Sequence, residues 1–506
     1  MKRSRGRRRR HAEEDTPNRL PVAPAGASGG WYRPLSEENV VRIHEAALEV
    51  LERVGIEVQA SECQDIFAAA GARVDPERNR VYLPPSLVEQ ALDTAQSTVT
   101  LYGREDDSHT LNLGDKRVYM GTGGAAVKVL DIDSRQARDS TLRDIYDIGR
   151  IVDALNNIHF YLRPCVARDV SNDLLDLNTY YAAICSTTKH VSGNCFTVES
   201  LLDVIEMAEL IAGSPAALRE RPFISFITSW TVSPLRFAPE TVEVLTEIVR
   251  QEMPVFLSSA PQAGATGPAA LAGTLVQIHA EELSGITYCQ LVKPGTPVIL
   301  GYVPSVSDLR TGNFVGGAPE FAMMHAAVAQ LGQYCRLPVY NSSGISDAKI
   351  PDIQAGYEKG LTGLAAALAG SNYIHHSAGF LESLLTIAYE QYIIDDDING
   401  SIMRMVRGIE VTDETLSIDV IEQVCNGEGH FLGTQQSLDL MHTEYYYPHT
   451  GDRQTRDRWL SEGGQSMWDA ARAKAKNLLK THQPEPLDPD VDRAIRERFE
   501  ILLPGL

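Results

Sequence analysis

The sequence has no run of 18 or more apolar residues, the length that a membrane-spanning helix needs, so no membrane span is predicted. Its seven cysteines are dispersed and form no CxxC pair; they are at positions 63, 165, 185, 195, 289, 335 and 425. An odd number of scattered cysteines predicts reduced thiols in a cytoplasmic protein. It also argues against a cysteine-based zinc site.

Basic residues are fewer than acidic ones, with 46 Lys and Arg against 67 Asp and Glu, and the formal net charge is −21. This balance argues against nucleic acid as the main partner, because phosphate binding needs a basic surface. The first ten residues are the exception, since seven of them are Lys or Arg. No apolar segment follows them, so a secretory signal is not predicted, and residues 1–30 are expected to form a disordered basic tail.

Several catalytic motifs are also missing. There is no GxSxG nucleophile elbow in a strand-turn-helix setting, and no HxH or HExxH spacing that would predict a metal site. The glycines of residues 120–131, MGTGGAAVKVLD, lack both the Lys-Ser/Thr ending of a phosphate loop and the spacing of a dinucleotide fold. A tight turn leading into a strand is the preferred interpretation.

What the chain does contain is a long alternation of strand and helix patterns. Residues 31–140 are predicted to form an N-terminal α+β cap. Its first helix begins after the capping residue Ser36 and ends at Gly55, and short strands and helices follow. Seven candidate strands then alternate with helices, at residues 159–166, 190–196, 223–229, 255–259, 298–302, 339–341 and 373–376.

This alternation predicts an α/β fold, a (β/α)8 TIM barrel over residues 141–440. The eighth strand is expected within 429–440, and an open doubly wound sheet is the alternative. Residues 441–506 form a C-terminal extension with an aromatic segment and two amphipathic helices, expected to pack under the barrel or across to another subunit of a homo-oligomer.

The stretch from Asn372 to Asp397 is the most suggestive part of the sequence. A short strand ends there in His375 and His376, and a predicted helix over 382–407 begins at Glu382. In a barrel this junction faces the active site. The alternative is that both histidines are wall residues and Glu382 is a charge at a helix N-terminus.

The predicted strand ends supply hydroxyls, amides and aromatic rings but few cations, which argues against a phosphate substrate. Aromatic rings beside a carboxylate suit a quaternary ammonium ion. Ordinary aromatic packing explains the same composition equally well. The candidate site residues are His376 and Glu382 for catalysis, and Trp230, Tyr302, Asn341, Asp347 and Phe380 for substrate binding.

Four segments make the chain resemble the trimethylamine methyltransferase family, in its branch without pyrrolysine that includes glycine betaine methyltransferases. They are LSEENVVRIHEAALEVLERVGIEV (35–58), GTGGAAVKVLD (121–131), the stretch from SGISDAKIPDIQ to EQYIID (343–395) and HTEYYYP (442–448). The similarity extends from about Leu35 to Leu503.

This resemblance implies a TIM barrel that moves a methyl group from a methylated amine to the cobalt(I) of a separate cognate corrinoid protein. It implies no tightly bound cofactor and no resident metal. The expected substrate is a quaternary amine such as glycine betaine, held between Tyr302 and Phe380 with Asp347 or Glu382 as counter-ion. The alternatives are a barrel lyase or hydrolase that uses His376 and Glu382 as an acid–base pair, and a non-catalytic betaine-binding protein.

Overall fold

The computed structural model describes residues 21–427 and 429–504. The N-terminal part contains nine short strands and three helices. The strands are β1 Ala27–Ser28, β2 Ile56–Glu57, β3 Arg73–Asp75, β4 Arg80–Tyr82, β5 Thr98–Leu101, β6 Leu111–Gly114, β7 Arg117–Met120, β8 Lys128–Leu130 and β9 Ala137–Asp139. The helices are α1 Glu37–Arg53, α2 Ser61–Ala69 and α3 Pro85–Thr94, followed by a 3-10 turn at Asp107–His109.

The predicted cap at the start of α1 is confirmed, since the Asn39 amide donates to the Ser36 hydroxyl at 3.2 Å. The prediction of a tail without structure up to Gly30 is wrong for its last residues. Ala27 and Ser28 pair with Val118 and Arg117 of β7, and the Gly30 amide donates to the Leu368 carbonyl at 2.7 Å. The remainder of the predicted tail, residues 1–20, lies outside the described residues.

The middle of the chain alternates strands and helices. Its helices are α4 Leu142–Asp153, α5 Asn172–Ser186, α6 Val198–Ala212, α7 Pro215–Glu220, α8 Pro239–Arg250, α9 Leu271–Val292, α10 Pro319–Tyr334, α11 Ile353–Ala369 and α12 Tyr389–Arg407. Its main strands are β10 Phe160–Leu162, β11 His190–Gly193, β12 Ile224–Thr228, β15 Val255–Leu257, β17 Val298–Tyr302, β20 Val339–Ser342 and β21 Tyr373–His375. All seven strands predicted from the alternation are therefore confirmed.

Shorter strands lie in the loops between these elements. They are β13 Thr231–Val232, β14 Arg236–Phe237, β16 Gln262–Ala263, β18 Ser305–Ser307, β19 Phe314–Val315, β22 Phe380–Leu381 and β23 Thr386–Ala388. They build small sheets, of which β22–β23–β8–β9 lies beside the predicted site. The predicted helix over 382–407 begins only at Tyr389, because residues 382–388 form a 3-10 turn and β23.

A nine-stranded sheet organises the molecule, in the order β1–β7–β21–β20–β17–β15–β12–β11–β10. All neighbours from β7 to β10 in this order are parallel, whereas β1 is antiparallel to β7. The sheet is curled, since the His159 amide next to β10 donates to the Met120 carbonyl of β7 at 2.7 Å.

The eighth parallel strand is β7, from residues 117–120, and not a strand within 429–440. In the described part of that segment the structure has the helix Gln435–Leu440 instead. β7 is hard to predict from the sequence because it has only four residues and no helix follows it directly. Its pairing partner β21 lies more than 250 residues later in the chain.

Aromatic rings fill the concave side of the curled sheet. Phe160 stacks on Tyr373 with ring centroids 3.5 Å apart, and Phe256 lies 4.5 Å from the same tyrosine. Tyr340 joins this buried cluster. These side chains form a packed floor beneath the carboxyl ends of the strands.

The C-terminal part wraps around α12 and α4. It contains α13 Ile418–Cys425, α14 Gln435–Leu440, α15 Arg456–Ser461, α16 Met467–Thr481 and α17 Pro489–Arg498. The amides of His449 and Thr450 donate to Asp397 of α12, and Arg150 of α4 donates to the Leu479 carbonyl at 2.8 Å. Within the described part of the chain, no helix combines the length and apolar character needed to cross a bilayer.

Candidate active site

A cavity of about 640 Å³ lies at the carboxyl ends of the parallel strands. Every parallel strand except β7 contributes a residue to its lining, in most cases from the end of the strand or just after it and in β20 from Tyr340, and the loop after β7 adds Gly124 and Ala125. Side chains that line it include Leu162, Arg163, Asn194, Cys195, Phe196, Thr228, Ser229, Ser258, Val303, Tyr340, His375, His376, Leu384 and Leu385. Phe196 and Leu385 are 58% and 53% exposed, so the cavity opens to the surface between them.

The glycine-rich loop after β7 packs directly under the two histidines. A Cβ atom on Gly123 would lie 2.9 Å from the His375 Nδ1 atom, and one on Gly124 would lie 2.6 Å from the His376 Nε2 atom. Gly124 also has a φ of +94°, which side-chain-bearing residues rarely adopt. The glycines therefore serve close packing of a loop against rings, which the interpretation as a simple tight turn did not foresee.

His375 ends β21, His376 follows it directly, and both are buried. His376 has a left-handed φ of 63°, and its Nδ1 atom lies 2.6 Å from the Ser342 hydroxyl oxygen. Its Nε2 atom has no hydrogen-bond partner among the described residues. Burial, together with the charge of Lys359, lowers the pKa of His376 to about 3, so the ring is neutral at physiological pH.

A buried ion pair supports the loop that carries His376. Asp395 of α12 accepts a hydrogen bond from the Gly379 amide at 2.7 Å and pairs with the Lys359 ammonium at 3.0 Å. Lys359 also donates to the Gly344 carbonyl at 2.8 Å. The pair thus ties α11 and α12 to the loops after β20 and β21, the two loops that border His376.

Phe380 lies beside His376, with a ring-centroid distance of 4.9 Å and nearly perpendicular planes. The two catalytic candidates, however, have separate partners. His376 bonds to Ser342, whereas the Glu382 carboxylate accepts from the Thr386 hydroxyl at 2.6 Å. The Glu382 side chain is absent from the cavity lining, and the predicted acid–base pair has no contact that would support it.

Asp347 also lies away from the cavity lining. Its carboxylate accepts from the amides of Gly316 and Gly317, at 3.0 and 3.1 Å, and from the Ser383 hydroxyl at 2.7 Å. It therefore holds two loops together. Neither carboxylate proposed as counter-ion from the sequence faces the cavity, and no Asp or Glu is found among the lining residues of the described chain.

Three other predicted binding residues point towards the surrounding helices. The Tyr302 hydroxyl lies 2.8 Å from His279 Nδ1 on α9, and the Asn341 amide donates to the His325 carbonyl on α10 at 3.1 Å. Trp230 packs against Phe237. None of the three lines the cavity. Because successive strand residues face opposite sides, it is Tyr340, and not Asn341, that faces the cavity.

Two of the lining residues that were not predicted carry polar groups that bear on the chemistry of the site. Tyr340 is buried, and its hydroxyl lies 3.1 Å from that of Ser258. Arg163 follows β10 and is only 6% exposed, so the site, expected to hold few cations, contains one that was not predicted. The sequence prediction placed Arg163 inside a strand over 159–166, whereas β10 ends at Leu162 and so leaves Arg163 at its carboxyl end.

A curled parallel sheet with polar and aromatic side chains converging on a cavity at its carboxyl edge is the arrangement of an α/β enzyme acting on a small molecule. The family model described as trimethylamine methyltransferase (MTTB) matches residues 2–500, and the chain belongs to this family. It is accordingly an enzyme of the methyltransferase class.

Curated relatives cover nearly the whole chain. A trimethylamine methyltransferase MttB of Desulfitobacterium hafniense is 36% identical over 476 residues, 94% of this chain and 95% of the relative. A glycine betaine methyltransferase from another strain of that species is 33% identical over 467 residues, 92% of this chain and 96% of the relative. A trimethylamine methyltransferase MttB of Methanosarcina thermophila is 34% identical over 465 residues, 90% and 94% of the two chains.

Proposed function

We propose that the enzyme transfers a methyl group from a quaternary methylamine, such as glycine betaine, to the cobalt(I) of a corrinoid carried by a separate cognate protein. The observation that carries this proposal is a cavity lined by aromatic rings and hydroxyls, with Arg163 as the one charged side chain of its described lining, in a chain of the trimethylamine methyltransferase family. The relative named glycine betaine methyltransferase adds support for a quaternary amine as methyl donor.

The proposed reaction needs no acid or base from the protein. The carbon–nitrogen bond breaks with its electron pair moving to nitrogen, and the leaving group is a neutral tertiary amine. The partner's corrinoid supplies the nucleophile, because cobalt(I) provides the electron pair for the new bond to the methyl carbon. This chain's own residues hold the substrate and direct one N-methyl group towards the opening.

The surroundings of His376 are compatible with such a role. Its ring is neutral, partnered by Ser342 and backed by Phe380, so it adds a polar edge without adding a second positive charge beside the ammonium group. The opening between Phe196 and Leu385 offers exposed apolar surface on which a partner protein would dock. A lyase or hydrolase built on His376 and Glu382 has no comparable support, since the two side chains do not contact each other.

We further propose that the curled sheet closes into a (β/α)8 barrel through β7 and β10. The bond from His159 to Met120 supports closure, as does a longer one from the Thr122 amide to the Phe160 carbonyl at 3.5 Å. A cytoplasmic location is proposed from the seven cysteines, all of which are free thiols. A homo-oligomer stays a prediction from the sequence.

The function is tested with the purified protein, glycine betaine and the cognate corrinoid protein reduced to cobalt(I). Loss of the cobalt(I) absorbance together with formation of dimethylglycine, at equal rates, is the expected result. Omitting the reductant is the control and should abolish both signals. Dimethylglycine formation without corrinoid would contradict the proposal, and so would an intact cobalt(I) spectrum with every quaternary amine tried.

A further inference from the structure

Arg163 is a buried cation without a partner in the protein. Among the described residues its guanidinium makes no hydrogen bond and no ion pair, although a guanidinium carries five N–H donors. The carboxylate that acts on it electrostatically, Asp176, forms no ion pair with it and accepts hydrogen bonds from the Phe196 amide and the Ser200 hydroxyl, each at 2.7 Å and both at Oδ2. Burial lowers the pKa of Arg163, but arginine stays charged in proteins.

Three other buried cations in the described part of the chain have protein partners, unlike Arg163. Lys359 pairs with Asp395, Lys189 donates to the carbonyls of Val152 and Ile158 at 2.7 and 2.6 Å, and Arg150 donates to main-chain carbonyls of the C-terminal part. An unpaired buried charge is strongly unfavourable, so natural structures give such groups a partner. For Arg163 the open direction is the cavity that it lines.

We infer that Arg163 is an anion subsite of the cavity, where it binds the carboxylate of a zwitterionic quaternary amine. This inference rests on the proposed function and adds which part of the substrate is recognised and by which residue. The planar guanidinium forms two parallel hydrogen bonds with a carboxylate, a geometry that lysine does not provide. A single cation also suits a monoanion better than a phosphate dianion, because no second Lys or Arg lines the described cavity.

The same residue explains how the site would discriminate between methylated amines. A betaine brings its own carboxylate to Arg163, so its ammonium group enters a cavity whose positive charge has been neutralised. Choline or tetramethylammonium would place a second cation near Arg163 with no acidic side chain in the lining to compensate. Discrimination therefore comes from repulsion of the wrong ligand as well as from attraction of the right one.

Equilibrium binding without corrinoid tests this inference separately from methyl transfer. Calorimetry is carried out with glycine betaine, proline betaine and carnitine as carboxylate-bearing ligands, and with choline and tetramethylammonium as ligands that lack the carboxylate. For the unmodified enzyme we expect at least one betaine to bind about tenfold or more tightly than both simple cations, the effect of one strong charge-assisted contact.

Arg163→Gln should weaken binding of that betaine by about tenfold or more and leave binding of choline unchanged or improved. Arg163→Lys keeps the charge and should recover part of the affinity. Arg168→Gln is the matched control, because Arg168 is exposed, pairs only with Asp139 at 3.6 Å and is outside the cavity lining; it should bind like the unmodified enzyme. The thermal midpoint of Arg163→Gln should not fall by much, since no side-chain hydrogen bond or ion pair within the described protein is lost.

Three results would overturn the inference: equal affinity for betaines and simple cations, no binding of any betaine, or unchanged betaine affinity in folded Arg163→Gln and Arg163→Lys. Betaine binding that depends on Arg163, combined with no methyl transfer to cobalt(I), would instead refute the proposed function and retain the subsite. Methyl transfer from choline at the rate of glycine betaine would retain the function and refute the subsite.

Discussion

Replacing Gly124 by alanine tests whether the glycine-rich loop sets the position of the site's rings. An added Cβ atom would lie 2.5 Å from Phe380 Cζ and 2.6 Å from His376 Nε2. Real Cβ contacts are longer, so one of these buried rings must move. His376 lines the cavity, and its displacement should therefore affect ligand binding as well as stability.

The expected loss of stability has two parts. Alanine at a φ of +94° costs about 1–2 kcal/mol of backbone strain. Overpacking against the rings adds about 1–3 kcal/mol. Gly71 supplies a matched control, because it has the same φ of +94° and nothing within 4 Å of an added Cβ. Gly71→Ala should lose only the strain part, so the difference between the two variants isolates the contact with His376 and Phe380.

Urea unfolding of both variants, with betaine affinity measured in parallel, provides the assay. We expect Gly124→Ala to unfold at a lower urea concentration than Gly71→Ala and to bind betaine more weakly than the unmodified enzyme. Gly71→Ala should bind normally. Equal midpoints for the two variants, with unchanged betaine affinity, would refute the assignment of the loop as a packing element of the site.

Three further predictions concern the support of the site, its protonation and the chain's N-terminal part. Lys359→Met leaves Asp395 buried without its partner and should lower the free energy of unfolding by about 3–5 kcal/mol, whereas exposed Lys349→Met should change it little; equal midpoints would contradict this. The pKa of His376, about 3 when folded and about 6.5 when unfolded, means that the unfolded chain binds a proton first, so stability is full above pH 6.5 and declines as the pH falls towards 3. In His376→Gln the urea midpoint should fall less between pH 7 and pH 5 than it does in the unmodified enzyme. The rate of methyl transfer should show no titration of His376 between pH 5 and 8. An NMR titration of this ring near pH 6.5 would contradict both expectations. A chain that starts at residue 31 should melt below one that starts at residue 21, because it lacks the pairing of Ala27 and Ser28 with β7, and identical melting points would show that this pairing adds no stability.

The sequence predicted the alternating architecture well because long helices separate the strands. It did not predict which strand residues face the cavity. Tyr302 and Asn341 were chosen because they stand at strand ends, but their side chains face α9 and α10. Neighbouring residues of a strand point to opposite faces of the sheet. When both faces are buried, residue type alone does not show which of two neighbours faces the cavity.

Arg163 shows a different limit of sequence reasoning. In the sequence Arg163 looks like any other arginine near a strand. Only the three-dimensional structure reveals that Arg163 is buried and that its guanidinium has no hydrogen-bond or ion-pair partner among the described residues. Asp347 and Glu382 show the converse, since carboxylates that looked available for a ligand are bonded to loop amides and hydroxyls. Whether a polar side chain is satisfied depends on contacts that are distant in sequence, such as that of Asp347 with Gly316.

The pairing of β7 with β21 has a consequence for the synthesis of the protein. Tyr119 of β7 pairs with Tyr373 of β21. The edge of β7 that receives β21 therefore has no partner until about 250 further residues have left the ribosome. At 5–20 residues per second this takes roughly 10–50 s, during which an open strand edge is available for wrong pairing. The antiparallel β1, only about 90 residues away from β7 in sequence, covers the opposite edge of that strand much earlier. In the nascent chain, therefore, β1 covers one edge of β7 early, whereas the other edge of β7 stays open until β21 has been synthesised.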